Sequence, residues 1–392
     1  MAKRKNNKIK QLQASALDGD LDAQYYLGQA YSEGQGITRN LRTAFKWYTL
    51  AAEQGHENAQ AYLGYSYSSG KGTKQNQHEA LKWFRKSAKQ GNRYSQVNLG
   101  MYYFFGIAVK QSYKNAVFWL KKTADANYPP GQFFLAICYL KGNGVRRNYK
   151  QSFQLLKKSA TANFIFAQYE LGCAYSFGWG VKENCTEAVR WFKKAAKAGN
   201  SKAQFRLAMC YYGGEGVRKD YKKAVYWARK SAKCSNASGQ DALAVAYWFG
   251  KGVRKNYNKA VFWFKKASSG GHTASEFFIG QAYLFGWGVR KDYKKAFVSF
   301  KRAAEFGDDD SQTYLGVFYH DGIVIPKNYK RAFHWWRLAA QNNSMAQYYL
   351  GMSYLYGHGI QKSKRLAQLW LTKAAENGEK HAKTELARLA NA

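Results

Sequence analysis

The sequence predicts an all-α protein, a curved α-solenoid of about ten helix–turn–helix repeats of 36 residues. Three observations carry this prediction. A Leu-Gly or Leu-Ala pair, Ile-Gly in one repeat, recurs every 36 residues and once after 35. In the ten complete repeats a Tyr always stands three residues after the pair, and a Gly always stands three residues after that Tyr. Because each repeat can bury its apolar face only against its neighbours, such a period indicates an extended stack of helix pairs rather than a globule.

The first helix of each repeat is predicted from the pattern A-x-x-x-L-G-x-x-Y, in which apolar residues fall at helical spacing. The pair begins at Leu27, Leu63, Leu99, Leu135, Leu171, Leu207, Leu243, Ile279, Leu315 and Leu350, with a last partial copy at Leu386. The Tyr residues are Tyr31, Tyr67, Tyr103, Tyr139, Tyr175, Tyr211, Tyr247, Tyr283, Tyr319 and Tyr354. The Gly residues, which permit the left-handed backbone that ends a helix, are Gly34, Gly70, Gly106, Gly142, Gly178, Gly214, Gly250, Gly286, Gly322 and Gly357.

The second helix is predicted to begin at a side chain that accepts hydrogen bonds from the free N–H groups of its first turn. These residues are Asn40, Asn76, Ser112, Asn148, Asn184, Asp220, Asn256, Asp292, Asn328 and Ser363. The helix carries A-x-x-W-x-x-x-A-A, whose small Ala lets helix backbones approach while the Trp fills the groove beyond. It is predicted to end at residues that tolerate a left-handed backbone, namely Gly55, Gly91, Asn127, Asn163, Gly199, Gly271, Gly307, Asn343 and Gly378.

The domain organisation follows from this register. Residues 1–15 are predicted to form a basic tail and the start of a capping helix, and residues 16–390 one continuous solenoid closed by a terminal capping helix over 380–390. The repeats begin near residues 23, 59, 95, 131, 167, 203, 239, 275, 311 and 346. Ala108 and Val324 replace the second Gly of a loop, and the ninth repeat is one residue short. These departures predict an altered stacking angle around 320–347, either a kink with a purpose or drift in one loop.

The pattern A-Q-x-x-L-G-x-x-Y-x-x-G-x-G-V-x-x-D-Y-x-K-A-x-x-W-x-x-K-A-A-x-x-G resembles the Sel1-like repeat, a relative of the tetratricopeptide repeat. Residues 200–232 match it almost letter for letter, and the resemblance covers roughly residues 16–390. It implies a right-handed superhelix and the role of a scaffold or adaptor that holds other proteins. Members are often bacterial, and some act as effectors on host cells. It implies no reaction and no particular partner.

The composition favours anionic partners. The formal net charge is +38, from 62 Lys and Arg against 24 Asp and Glu, and the isoelectric point is near 9.9. Such a charge attracts nucleic acid, anionic membranes or acidic proteins. The five cysteines are an odd number without a C-x-x-C pair, which favours a reducing compartment over a disulfide framework. No apolar run follows the basic N-terminus, so a cytoplasmic protein is expected, or one exported without a cleavable signal peptide.

The sequence offers little for catalysis. It has no H-E-x-x-H, no G-x-S-x-G and no phosphate-binding G-x-x-x-x-G-K-[ST]. The G-x-G pieces follow helices rather than strands and are explained by turn geometry. We therefore expect no enzyme, no cofactor, no metal site and no small-molecule substrate.

Two sets of residues are candidates for binding. The first is a partner-binding groove on the concave side, at the ends of the first helices: Phe105, Phe177, Trp179, Trp248, Phe249, Phe285, Trp287 and Tyr356. The alternative for these rings is packing between repeats. The second is a basic surface on the convex side and loop edge: Arg218, Lys219, Lys222, Lys223, Arg254, Lys255, Lys259, Arg290, Lys291, Lys294 and Lys295. The alternative for these cations is an ordinary solvated helix face.

The function predicted is a non-enzymatic scaffold or adaptor that binds a protein or peptide partner in the aromatic groove, with the basic surface favouring an acidic partner. The alternative is binding of nucleic acid or an anionic membrane along the basic surface. A basic tail, formed by Lys3, Arg4, Lys5, Lys8 and Lys10, is either a solubilising start or a weak anchor to an anionic surface.

Overall fold

The structure is a computed structural model that describes the backbone of residues 2–390 and the side chains of residues 8–390. Lys3, Arg4 and Lys5 of the predicted basic tail therefore lie outside the described side chains. Within the described residues the chain forms 22 α-helices and no strand, which confirms the all-α, solenoid-like repeat fold. The chain divides into two compact units, Met1–Lys194 and Ala195–Ala392.

The helices alternate between first and second helices of successive repeats. The first unit contains α1 (Ala2–Leu17), α2 (Leu21–Glu33), α3 (Leu41–Glu53), α4 (Glu57–Ser69), α5 (Gln77–Lys89), α6 (Arg93–Phe105), α7 (Tyr113–Asp125), α8 (Pro129–Lys141), α9 (Tyr149–Thr161), α10 (Ile165–Phe177) and most of α11 (Cys185–Lys197). The second unit contains α12 (Ser201–Gly213), α13 (Tyr221–Lys233), α14 (Ala237–Phe249), α15 (Tyr257–Ser269), α16 (Ser275–Phe285), α17 (Tyr293–Glu305), α18 (Asp309–Asp321), α19 (Tyr329–Ala339), α20 (Ser344–Tyr356), α21 (Lys364–Glu376) and α22 (Lys380–Ala390).

The predicted helix boundaries at the loop between the first and second helix are confirmed in each repeat. Every Gly predicted to end a first helix has a positive φ, between 69° and 86°. Every predicted N-terminal cap of a second helix accepts at least one backbone N–H, as Asn256 Oδ1 does from Lys259 at 2.9 Å. The end of the first helix and the start of the second helix thus satisfy backbone groups that have no hydrogen-bond partner in an isolated helix.

A backbone hydrogen bond that the sequence did not reveal closes the loop between the two helices. The carbonyl of the repeated Tyr accepts the N–H of the capping residue nine positions later, for example Asn256 N to Tyr247 O at 2.9 Å. The same bond forms in all ten repeats at 2.7–2.9 Å. The loop therefore has one conformation throughout the array.

One predicted helix end is wrong. Asn127 and Asn163 have φ of 55° and 63°, as expected, but Asn343 has φ of −111° and caps the start of α20. The ninth repeat lacks one residue, so α19 ends at Ala339 and no position remains for a separate left-handed stop. The predicted change of stacking angle near 320–347 stays a prediction.

Each second helix contributes a deeply buried side chain to the core of its unit, the residue that follows the Trp position. Its exposure is at most 3% in every repeat. The residues are Tyr48, Phe84, Leu120, Leu156, Phe192, Ala228, Phe264, Phe300, Trp336 and Leu371. Each faces the second residue of the Leu-Gly or Leu-Ala pair, so the first and second helices pack most closely where that residue is small.

Neighbouring repeats are also joined by a buried Gln at the start of the first helix. Gln240 Nε2 donates to Ala232 O at 3.4 Å and Gln312 Nε2 to Ala304 O at 3.2 Å, so each ties a first helix to the end of the second helix before it. In the eighth repeat Glu276 takes this place, accepts from Ser268 Oγ at 2.6 Å and pairs with Arg302 at 3.4 Å. Among the described residues, no helix is both long and apolar enough to cross a membrane.

Candidate interaction surfaces

The rings that end the first helices are exposed. Phe105 and Phe177 in the first unit, and Phe249, Phe285 and Tyr356 in the second, have exposed fractions between 47% and 60%. Each stands directly before the Gly that stops its helix, where the chain turns away from the helix. Large apolar side chains usually lie in the core of a protein. Rings that are exposed at one repeated position are therefore candidates for contact with a partner.

The loop tryptophans extend these exposed rings. Trp287 stacks on Phe285 with ring centroids 4.7 Å apart, and on Tyr257 of the preceding repeat at 5.4 Å and 12°. In the first unit Trp179 stacks on Phe177 at 5.0 Å. Each pair forms one continuous apolar face from the helix end into the loop. We name the exposed rings Phe249, Phe285, Trp287 and Tyr356 of the second unit the aromatic surface.

Trp248 corrects the prediction that it lines this groove. Its side chain is only 4% exposed and lies in the core with Phe264 and Phe278, at centroid distances of 5.8 and 5.4 Å. It stands one residue before Phe249, so the helical turn of about 100° per residue rotates it from the surface into the interior. Packing between repeats, the alternative for the whole set, is the correct interpretation for this residue.

The predicted basic surface lies in the second unit, and all of its residues are exposed. They occupy the loops before α13, α15 and α17 and the first turns of those helices. We keep the name basic surface for Arg218, Lys219, Lys222, Lys223, Arg254, Lys255, Lys259, Arg290, Lys291, Lys294 and Lys295. An exposed set of one sign attracts polyanions, and its field is screened by salt.

Many of these cations lie over tyrosine rings of the fold. A loop Lys covers the first residue of each second helix, with Nζ to centroid distances of 5.4, 4.7 and 4.8 Å for Lys219 over Tyr221, Lys255 over Tyr257 and Lys291 over Tyr293. A second Lys covers the repeated Tyr, at 5.7, 5.6 and 5.4 Å for Lys223 over Tyr211, Lys259 over Tyr247 and Lys295 over Tyr283. Such cation–π contacts at exposed sites contribute about 0.5–1 kcal/mol each, so these lysines also stabilise the fold.

Two aspartates neutralise part of the charge of the basic surface. Asp220 and Asp292 pair with Lys223 and Lys295, each at 3.1 Å, and both cap a helix. The pKa of Asp220 is lowered mainly because its carboxylate accepts the backbone N–H of Lys223, and the pKa of Asp292 is lowered in the same way by Lys295. In the repeat between them Asn256 caps without a charge, so Lys259 has no carboxylate partner there.

A second set of cations, outside the basic surface, stands three residues after the Trp position. These are Lys86, Lys122, Lys194, Lys230, Lys266 and Lys373, with Nζ between 4.3 and 5.6 Å from the Trp centroid. The constant spacing W-x-x-K places both side chains on one helix face. These lysines are explained by the fold rather than by a ligand.

A basic depression of about 570 Å³ lies between α15, α16 and α17. Lys265, Lys294, Lys295 and Arg302 line it, with Glu276 and Tyr283 among the other residues. Lys265 Nζ donates to Tyr283 Oη at 2.8 Å, and Lys295 covers the same ring. Arg302 pairs with Glu276 at 3.4 Å and Lys295 with Asp292 at 3.1 Å, so the depression carries two acids beside its four cations.

Comparisons with known proteins support the same architecture. The profile of the Sel1 repeat matches residues 21–56, 58–92, 93–128, 129–164, 165–200, 201–236, 237–272, 273–308, 309–344 and 344–379. The crystal structure of c5321, a protective antigen of uropathogenic Escherichia coli strains displaying an SLR fold, is 31% identical, covers 98% of this chain and 90% of that chain, and has a TM-score of 0.53. A Sel1 repeat protein from Oxalobacter formigenes is 29% identical, covers 62% and 96%, and has a TM-score of 0.56. No curated protein matches the chain.

Proposed function

Since this chain belongs to the Sel1 repeat family, we propose that it is a non-enzymatic scaffold or adaptor that binds a protein or peptide partner on its aromatic surface. Sel1 and related repeat proteins generally mediate protein–protein interactions, and the family is generally non-catalytic. The basic surface steers and favours an acidic partner, because opposite charges raise the rate of encounter.

One observation carries the proposal, the exposed rings at the ends of α14, α16 and α20. Phe249, Phe285 and Tyr356 keep about half of their surface exposed to water, although the exposure of a large apolar ring to water is unfavourable. Aromatic side chains are enriched where interfaces are most tightly packed. Because Trp287 stacks on Phe285 and on Tyr257, its ring is already held in place before a partner arrives.

The experiment is affinity capture from the native cell with mass spectrometry, with and without nuclease. The test variant is Phe249→Ser/Phe285→Ser, and the control is Tyr226→Ser/Phe262→Ser, which removes two rings of similar exposure (52% each) from the second helices α13 and α15. We expect the test variant to lose the captured proteins while the control keeps them, at unchanged helicity by circular dichroism. Equal capture by both variants contradicts the proposal, and loss of folding in the test variant shows that the rings are packing.

The basic surface favours one alternative, the binding of nucleic acid or an anionic membrane. Its exposed cations and the depression between α15 and α17 suit phosphate groups. Affinity for RNA, duplex DNA and vesicles with anionic lipid should be measured from about 50 to 200 mM salt, where phosphate contacts weaken steeply. Binding that is lost in Lys291→Glu/Lys294→Glu/Lys295→Glu supports this alternative, and no binding at about 50 mM salt removes it.

A further inference from the structure

Successive repeats are joined by a stacked ring pair that recurs in both units. The ring after the Trp position of a second helix lies face to face with a ring of the next first helix, at centroid distances of 4.6–4.7 Å and interplanar angles of 4–12°. The pairs are Tyr48 with Tyr62, Phe264 with Phe278, Phe300 with Tyr314, and Trp336 with Tyr349. Each pair fills the space between two adjacent first helices and the second helix beneath them.

At the junction of α13 and α14 both members of this pair are alanine. Ala228 follows Trp227 and Ala242 stands where the next repeat has Phe278, so neither ring is present. The vacated space is an open pocket of about 190 Å³ between α12 and α14, with α13 as its floor. Its apolar walls include Ala208, Val225 and Val245. An apolar cavity of about 150 Å³ is enough to hold one benzene ring.

The pocket also contains an acid at a position that is otherwise uncharged. The residues equivalent to Asp241 in the other repeats are Tyr25, Ala61, Val97, Phe133, Tyr169, Phe205, Phe277, Thr313 and Tyr348. The Asp241 side chain is only 19% exposed, and burial raises its pKa. Its Oδ1 accepts from Ser275 Oγ at 2.6 Å and lies 3.4 Å from His272 Nδ1. Both contacts use the same oxygen, so Oδ2 can accept a hydrogen bond from a bound group.

We propose that this pocket binds an aromatic side chain with a hydrogen-bond donor, Tyr or Trp, of the partner protein. The ring enters the space left by Ala228 and Ala242, and its O–H or N–H donates to Asp241. At four other junctions the chain fills the equivalent space with two amino-acid rings, which indicates the size and shape of the occupant. Lys251 lines the pocket and its Nζ lies 6.0 Å from the centroid of the Phe249 ring, so the pocket adjoins the aromatic surface. This inference rests on the proposed function, because it names the anchor residue of that partner.

The test measures binding of p-cresol, toluene and N-acetyl-tyrosinamide to the full chain by ligand-observed NMR. We expect p-cresol and N-acetyl-tyrosinamide to compete for one site. The variant Ala228→Phe/Ala242→Tyr restores the pair seen at Phe300 and Tyr314 and should weaken both by about tenfold or more, with helicity retained. Ala228→Leu, which introduces the side chain that Leu120 has at the equivalent position, is the second filling variant. Asp241→Asn should weaken the binding of p-cresol by about threefold or more and leave the binding of toluene unchanged.

Several results would overturn the inference. The inference fails if N-acetyl-tyrosinamide does not bind, even when p-cresol does. It also fails if the ligands bind the filled variants as tightly as they bind the unaltered chain. The filled variants are also compared with the unaltered chain in the capture experiment. If the unaltered chain captures partners and the filled variants capture them equally, the pocket is not the anchor site although the proposed function stands. If the unaltered chain captures nothing, the proposed function fails whatever the probes do.

Discussion

In the repeats that have a Leu-Gly pair, the Gly lies in close contact with one side chain of the second helix. A Cβ on Gly64 would lie 2.5 Å from the Phe84 ring, and one on Gly316 would lie 2.2 Å from Trp336 Nε1. Real Cβ atoms do not come so close, so glycine is required by contact and not by backbone conformation. Three repeats have Ala at this position, Ala136 packed with Leu156, Ala208 with Ala228 and Ala244 with Phe264, so the facing side chain there leaves room for a Cβ.

Gly316→Ala should therefore lower the free energy of unfolding by about 1–3 kcal/mol, because the added methyl displaces Trp336 and its hydrogen bond to Thr313 O. Chemical denaturation followed by circular dichroism measures the change. The matched control is Gly213→Ala, also helical, whose Cβ would meet only the flexible Glu215 side chain at 3.4 Å. That variant should be more stable by about 0.5–1 kcal/mol, and a similar loss in both would argue against contact as the cause.

His358 introduces a pH-sensitive contact between the last two repeats. Its ring stacks on Tyr329 at 4.5 Å and 8°, and its Nδ1 lies 3.1 Å from His320 Nε2. Burial lowers the pKa of His358, and the nearby His320, Lys362 and Lys327 lower it further. The folded chain thus resists a proton that the unfolded chain accepts.

Stability at this contact should be full above the ordinary histidine pKa of about 6.5 and should decline as the pH falls below it. Hydrogen exchange of the amides in α20 and α21 at pH 7.5, 6.5 and 5.5 reports the decline. His358→Phe keeps a ring against Tyr329 without the titration and should show a shallower pH dependence. Identical profiles for the two proteins would exclude His358 as the source.

At the scale of elements, the loop between the two helices of a repeat doubles as a contact with the preceding repeat. In six repeats the second Gly of the Gly-x-Gly lies close to the first residue of the preceding second helix: a Cβ on Gly252 would lie 2.2 Å from Tyr221 O, and one on Gly288 would lie 2.4 Å from Tyr257 C. These glycines also have positive φ, 77° and 70°. Ala108 and Val324 hold the same place with φ of 54° and 58°.

Val324→Gly should raise the free energy of unfolding by about 1 kcal/mol, because a β-branched residue is strained at positive φ. Urea denaturation checks this, with Ala108→Gly as a milder companion. Gly288→Val should be strongly destabilising, since it meets both the strain and the backbone of Tyr257. A Val324→Gly variant that is no more stable than the unaltered chain would contradict this account of the loop.

At the scale of the whole molecule, charge dominates the solution behaviour. The net charge of +38 includes the exposed, mostly like-charged side chains of the basic surface, which repel one another in the folded state. Cation–π contacts and the Asp220 and Asp292 pairs offset part of this repulsion. The remainder depends on ionic strength.

Raising NaCl from about 20 to 300 mM shortens the Debye length from about 20 Å to below 10 Å, so the melting temperature should rise. Thermal unfolding followed by circular dichroism measures it. Lys222→Gln/Lys294→Gln removes two exposed cations at equivalent positions and should show a smaller rise. A melting temperature that falls or stays constant with salt would contradict the expected self-repulsion.

The helix pairs, their turns and their caps were predictable from the sequence, because each depends on residues within about ten positions of one another. A Gly that must take positive φ and an Asn that must accept an N–H are recognisable wherever they recur. The exposed rings at Phe249 and Phe285 were also predictable, since they occupy one register position. Trp248 was not, because a shift of one residue rotates a side chain by about 100°.

The period, the order of the helices and the character of each face thus follow from the sequence alone. Which side chains meet is known only once the helices are packed in three dimensions. The structure shows that the residue after the Trp position of each second helix is deeply buried, and that Lys265 Nζ contacts Tyr283 of the next repeat. It also shows that Ala228 and Ala242 line one pocket. Periodicity describes each helix alone, whereas these contacts join residues of different helices, and their partners are set by the packing of helices against each other.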